Sequence, residues 1–170
     1  MNIILTEKQI SYATEMGKKR HKYDSTIGAR GAYNISKKMN STATLDIQGC
    51  VAEYAVSLLL NKEWIGFSEN FQNIESDVGN NIQIRSTYLP HGNLILHQKD
   101  ADNQKFVLVK LHNLPNVDVV GWVMGKDAKQ EQFWTEPVKN RPCYMYPSQL
   151  LQDMDDIETH GDKQLGFDWG

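Results

Sequence analysis

Apolar and polar positions divide the chain into a helical first third and a strand-rich remainder. Behind Thr6, whose hydroxyl suits a helix N-cap, Ile10, Tyr12, Ala13 and Met16 recur at helical spacing. This predicts a helix that frays after Arg20. Residues 23–44 are rich in Gly, Ser, Thr and Asn and contain Gly28-Ala-Arg-Gly31, which predicts a long loop, and loops of that length tend to be functional or disordered. From Leu45 the helical period returns: Leu45, Ile47, Val51, Ala52, Ala55, Val56, Leu58 and Leu59 form a wide apolar face that Asn61-Lys62 ends.

Beyond Trp64 the period changes to two. Ile82–Tyr88 alternates, and turns at Pro90-His-Gly92, Lys99–Asn103 and Asn113–Asn116 separate it from Asn93–His97, Phe106–Leu111 and Val117–Met124. Short strands joined by short turns predict an antiparallel meander of four strands. Gly125–Lys129 predicts a short helix or turn, and Arg141–Tyr146, flanked by Pro142 and Pro147, an edge strand. Ser148 would cap a last short helix over 149–154. The fold class expected is α+β, with N-terminal helices and a mainly antiparallel four- to five-stranded sheet.

At 170 residues, 40% of them hydrophobic, the chain can bury a core without disulfide or metal staples. No apolar run approaches the ~20 residues of a membrane helix, and MNIILTEKQI lacks the layout of a secretory signal. Cys50 and Cys143 lie far apart, in no metal-type pair, which suits a reducing compartment. The expectation is a cytoplasmic protein with no membrane partner. Its domain would span 1–152, including a basic loop region at 18–44, and an acidic tail would follow over 153–170.

Charge sharpens this picture. The net charge is −3, yet Lys18–Lys38 holds seven basic residues against Asp24 alone. From Asp153 onward, six acids face only Lys163. A basic segment in an otherwise acidic chain makes Lys18, Lys19, Arg20, Lys22 and Arg30 candidates for contact with nucleic acid, although lysines on a solvated helix end give the same pattern.

A second set of residues is compatible with chemistry. Glu53 sits within the most apolar helix, Asp77 opens the turn Asp77-Val-Gly-Asn-Asn81, and Gln83 and Arg85 share one face of the following strand. Two carboxylates and an amide oxygen are hard ligands that suit Mg²⁺. Such an ion lowers the pKa of bound water and offsets charge on an attacked phosphate. The same residues also fit an ion pair between Glu53 and Arg85, an Asx turn closed by Gly79 and a solvated strand face.

This order of a helix Glu, an Asp and Gln-x-Arg on a strand resembles the relaxed form of the PD-(D/E)XK nuclease superfamily. More closely, the run from Gly49 to Tyr146 looks like a family of small, mostly uncharacterised phage and bacterial proteins. It does so through Gly49-x-x-Ala-Glu53-x-Ala55, Asp77–Thr87, Val107-Leu-Val109, Gly121–Lys129 and Tyr144-Met-Tyr-Pro147. The resemblance implies an α/β/α nuclease-like core and metal-dependent phosphodiester hydrolysis of DNA. Glu53, Asp77 and Gln83 would stand on the metal side (Mg²⁺ or Mn²⁺), and Arg85 would stabilise the attacked phosphate. Arg85 stands where the superfamily has lysine, and a permanently charged planar fork is a poor general base. Gln83 also removes a negative charge from the metal side. Both departures favour the alternative of a degenerate nuclease fold that binds nucleic acid or a host or partner protein. Lys126 or Lys129 would be the stand-in for the missing lysine. His97 and His112 read as structural, Cys50 as core filler, and Trp64, Trp122 and Trp134 as core or rim aromatics.

Overall fold

A computed structural model describes residues 1–27, 42–68 and 76–158. After strand β1 (Asn2–Ile4), helix α1 runs from Glu7 to Ile27, seven residues beyond the fraying expected at Arg20. Its start is a capping box: Gln9 N–H donates to Thr6 Oγ1 at 3.2 Å, and Thr6 N–H donates to Gln9 Oε1 at 2.8 Å. Helix α2 (Thr42–Leu60) stops where Asn61 adopts a φ of 51°. Lys62 N–H then reaches Ser57 O at 2.9 Å and Asn61 N–H reaches Leu58 O at 3.4 Å, the paired bonds of a Schellman end.

Seven strands lie within the described residues, and they form two sheets in place of one meander. Strands β2 (Ile82–Thr87), β4 (Lys105–Asn113) and β5 (Asn116–Met124) join β1 in the order β1-β5-β4-β2, with β2 parallel to β4 and the other pairs antiparallel. Strand β3 (Leu94–Leu96) leaves this sheet and pairs with β7 (Arg141–Tyr146), which also pairs with β6 (Trp134–Val138). The departure follows burial: Leu94 and Leu96 pack against Phe106 and Leu108 across the gap between sheets, so β3 lies over β4 and not beside β2. Strand β7 is therefore central, not an edge. Pro142 is tolerated because β3 pairs only with Tyr144–Tyr146 and the β6 ladder is irregular between Thr135 and Val138.

The core has two compartments. Val51, Ala52, Ala55 and Val56 of α2 cover Ile82, Ile84, Val107 and Val109, and α1 packs along α2. On the opposite face of the sheet, Phe106, Leu108 and Val123 meet the three-stranded sheet and Ala128 of α3 (Gly125–Ala128). The second helical layer of the expected α/β/α core is thus a small sheet with a single helical turn. Val120 is an extra residue in β5, because Leu108 pairs with Gly121 while Val109 pairs with Val119. This bulge reverses the alternation, so Val117, Val119 and the fully buried Trp122 all face the helices. Ser148 begins a 3-10 turn, Ser148–Leu150, but Pro147 is its N-cap. Gln152 then bridges Trp122, and Met154 and Ile157 are buried, so residues 153–158 of the acidic end belong to the packed chain.

Gly17 sets how closely α1 and α2 approach. A Cβ there would fall 2.5 Å from Ile47 Cα, a backbone atom that yields only if the helices part. Alanine would gain about 1 kcal/mol of helix propensity, whereas overpacking costs about 1–3 kcal/mol. Gly17→Ala should therefore lower stability by up to about 2 kcal/mol in urea unfolding; raised stability would contradict this packing.

Candidate functional site

The candidate residues lie on both sides of the four-stranded sheet. On the helix side, Glu53 occupies the buried face of α2. The Arg20 guanidinium grips it as a fork: Nη1 donates to Oε1 at 2.7 Å and Nη2 donates to Oε2 at 2.6 Å. Trp64 Nε1–H adds a third bond to Oε2 at 2.8 Å, and Arg20 Nε–H donates to Gly66 O at 2.7 Å. Their side chains are 18% and 7% exposed, so this pair is largely removed from water. Burial works against the Arg20 charge, but the hydrogen bond and the charge of Glu53 outweigh it and hold its pKa above the ordinary value.

Arg20 lies in a basic run, yet its guanidinium turns inward to Glu53 and not out towards a nucleic acid. Ala13 and Gly17 precede it at the spacing of one helix face, and both are buried. That spacing was the signal that Arg20 points inward. Lys18, Lys19 and Lys22 are exposed on α1, with Lys19 Nζ 3.2 Å from Glu15. They belong to a helix and not to the basic loop expected from residue 18. Arg30 lies outside the described residues.

Asp77 stands beside the outer edge of β2. Its Oδ2 accepts the Ile84 N–H at 2.7 Å, while Asp77 N–H donates to Ile82 O at 2.9 Å. The turn between them is closed by Gly79, whose φ of 57° suits glycine. Burial pushes the Asp77 carboxyl up to about 6, and the Glu53 carboxylate adds to this. The Ile84 N–H and the charges of Arg85 and Arg20 pull it back. Burial likewise raises the neighbouring Cys50 thiol to about 12, which leaves it unreactive filler.

Gln83 and Arg85 face the other way. They alternate with the buried Ile82 and Ile84, and Arg85 lies 5.2 Å over the ring of Phe106, in the compartment between the sheets. Arg85 Nη2 donates to Asp100 Oδ1 at 3.1 Å, a partner that only the folded loop brings into reach. Lys129 fixes the same loop through Gln98 O at 3.2 Å, Asp100 O at 2.7 Å and Asp102 Oδ1 at 2.6 Å. Lys126 is exposed on α3.

The helix side opens into a cleft of about 640 Å³ lined by Arg20, Lys62, Asp77, Asn80, Asn81 and Lys105, among others. Lys105 is buried, with its Nζ donating to Ile157 O and lying 5.6 Å from the centre of the Trp122 ring. As a site for Mg²⁺ or Mn²⁺ the donor set fits poorly. Both Glu53 oxygens are bonded to an arginine, and Gln83 is on the far face of the sheet. Among the described residues, no group of three or more His, Cys, Asp and Glu could hold a metal ion. No described helix is long and apolar enough to cross a membrane. No family model, curated protein or solved structure matches the chain.

Two stability tests follow. Glu53→Ala leaves a guanidinium buried without its partner and should cost about 3–5 kcal/mol. Replacing both partners, as Arg20→Met with Glu53→Met, should recover most of that loss; a double variant as unstable as the sum of the singles would contradict the account. Asp77 is raised in the folded state, from 3.8 to about 6, so the folded chain holds its proton more tightly than the unfolded chain. Its contribution therefore favours folding below pH 4 and is lost as pH rises towards 6. Asp77→Asn should flatten the melting temperature between pH 4 and 6 and raise it at pH 7; an unchanged slope would assign the proton elsewhere.

Proposed function

We propose that this protein binds nucleic acid without hydrolysing it, on a nuclease-like scaffold in which Arg20 takes the cation position beside Glu53. The bidentate Arg20–Glu53 pair carries this reading. A guanidinium that satisfies both carboxylate oxygens leaves them little capacity for a divalent ion. Arg85 in place of lysine, and Gln83 in place of an acid, point the same way.

Support for a polyanionic partner comes from the end of α1 that supplies Arg20. Lys18, Lys19 and Lys22 are exposed on successive turns, and Arg30, Lys37 and Lys38 follow them in sequence. Lysines arranged in this way hold backbone phosphates by charge, and each contact releases a counterion. Binding would then be insensitive to base sequence and steeply dependent on salt. Fluorescence anisotropy with labelled single-stranded and duplex DNA, between 50 and 200 mM NaCl, tests this. The Lys18→Ala/Lys19→Ala/Lys22→Ala variant should bind more weakly and lose about 2–3 units of the log–log salt slope. Equal affinity and slope would remove α1 from the interface. Absence of binding by the parent would turn the search to a protein partner.

One observation favours hydrolysis as the second reading. The half-buried Asp77 lines the cleft and feels the charge of Glu53. Enzymatic use of that pair requires Arg20 to release Glu53. Cutting of single-stranded, duplex or branched DNA with Mg²⁺ or Mn²⁺, lost on Asp77→Ala, would establish this reading in place of binding alone.

A further inference from the structure

Where the chain crosses back over the cleft it brings an acidic stretch against Lys62 and Lys105, on a wall that also carries Glu63 and Asp77. Residues 153–158 contain Asp153, Asp155, Asp156 and Glu158 and no basic residue, and all four acids are exposed. Ile157 anchors this stretch: it is 1% exposed, and its carbonyl accepts from the buried Lys105. One residue further, Glu158 reaches back to the cleft wall, with Oε1 3.3 Å from Lys62 Nζ. These side chains are 55% and 35% exposed, so unlike Arg20–Glu53 they remain largely in water. Both line the cleft that Arg20, Asn80, Asn81 and Lys105 also line.

The two cationic attachments thus differ in kind. The Lys105–Ile157 contact is buried and fixes the path of the chain. The Lys62–Glu158 contact is a surface ion pair of the class that contributes little to stability and exchanges readily with other anions. A carboxylate on Lys62 presents to it what a backbone phosphate would: an oxygen anion at hydrogen-bonding range. Only the Glu158 side chain has to turn away for Lys62 to be released, because Ile157 stays in the core. The remaining acids add a negative field that opposes an incoming polyanion.

We infer that Glu158 is a built-in competitor for nucleic-acid phosphate, holding Lys62 at the cleft mouth until a backbone phosphate displaces it. This rests on the nucleic-acid reading above and assigns Lys62, with the cleft edge at Asn80 and Asn81, as a phosphate contact beyond the lysines of α1. Bound nucleic acid would therefore extend from α1 over the cleft mouth, and the acidic stretch would weaken its binding.

The test is anisotropy of a labelled 20-nucleotide single strand, and of a duplex of the same length, at 50 mM NaCl. It uses the full chain, Glu158→Gln, Lys62→Gln and the double variant. Glu158→Gln should bind about two- to fivefold more tightly, the range that releasing one exposed ion pair allows, and Lys62→Gln should bind more weakly. Adding Glu158→Gln to Lys62→Gln should give no further gain, because the competitor then has nothing to hold. A Glu158→Gln chain that binds no more tightly than a binding parent would overturn the competition and leave the nucleic-acid reading standing. So would a gain of equal size in the Lys62→Gln background, which would show only a general effect of charge. A parent and variants that bind neither probe would overturn the nucleic-acid reading and this inference with it.

Discussion

The rest of the helix side depends on one buried ion pair between α1 and α2. Arg20 and Glu53 are both largely out of water, and neither is tolerable without the other, since an isolated charge in this setting costs several kcal/mol. The pair is satisfied on every side it presents: the fork of two bonds between them, Trp64 on the carboxylate and Gly66 on the guanidinium. It fixes the helix crossing that Gly17 makes close, and it draws the chain after α2 back against α1. The cleft wall that carries Lys62 and Gly66 lies where it does because of these bonds. A hydrophobic pair of similar volume could hold the helices together as well. What the ions add is a preset cation beside Glu53 and a charge that influences Asp77.

The sheet imposes the second constraint. Alternation along β2 sends Ile82 and Ile84 to the helices and Gln83 and Arg85 to the smaller sheet. A strand cannot present both sets to one side. The four residues that stand together as a motif in sequence are therefore divided by the sheet, with Asp77 at the edge of β2 between them. Arg85 is engaged where it lies, stacked over Phe106 and paired with Asp100 in a loop that Lys129 secures.

Most local structure was legible in the sequence. Thr6, the apolar period of α2, its stop at Asn61 and the alternation of Ile82–Arg85 each act within a few residues and are found, although α2 begins at Thr42, inside the expected loop, and β2 ends at Thr87 with Tyr88 exposed. The pairing of strands was not legible. Leu94-Ile-Leu96 reads as a strand, but the choice between β2 and β7 as its neighbour is made by Phe106 and Leu108 from another strand. The bulge at Val120 has no turn residue to announce it. The candidate site shows the same limit. Glu53 was visible as an acid inside an apolar helix, and Asp77 as the acid that opens a turn before a strand. The basic run containing Arg20 drew attention to its charge, while the helical spacing from Ala13 and Gly17 held its direction. Asp100, the partner of Arg85, lies in a loop whose charges look like those of any turn.

Glu53 is held by the Arg20 fork, and a metal ion could take the carboxylate only by breaking that hold. Calorimetric titration of the intact protein with Mn²⁺ at pH 7, above the range in which Asp77 holds its proton, tests this hold most directly. No site of micromolar affinity is expected, and the heats should be unchanged between the parent and Asp77→Asn. One ion bound per chain at micromolar affinity, and lost in Asp77→Asn, would contradict that hold: Arg20 would then be a cation that yields, and the cleft a metal centre.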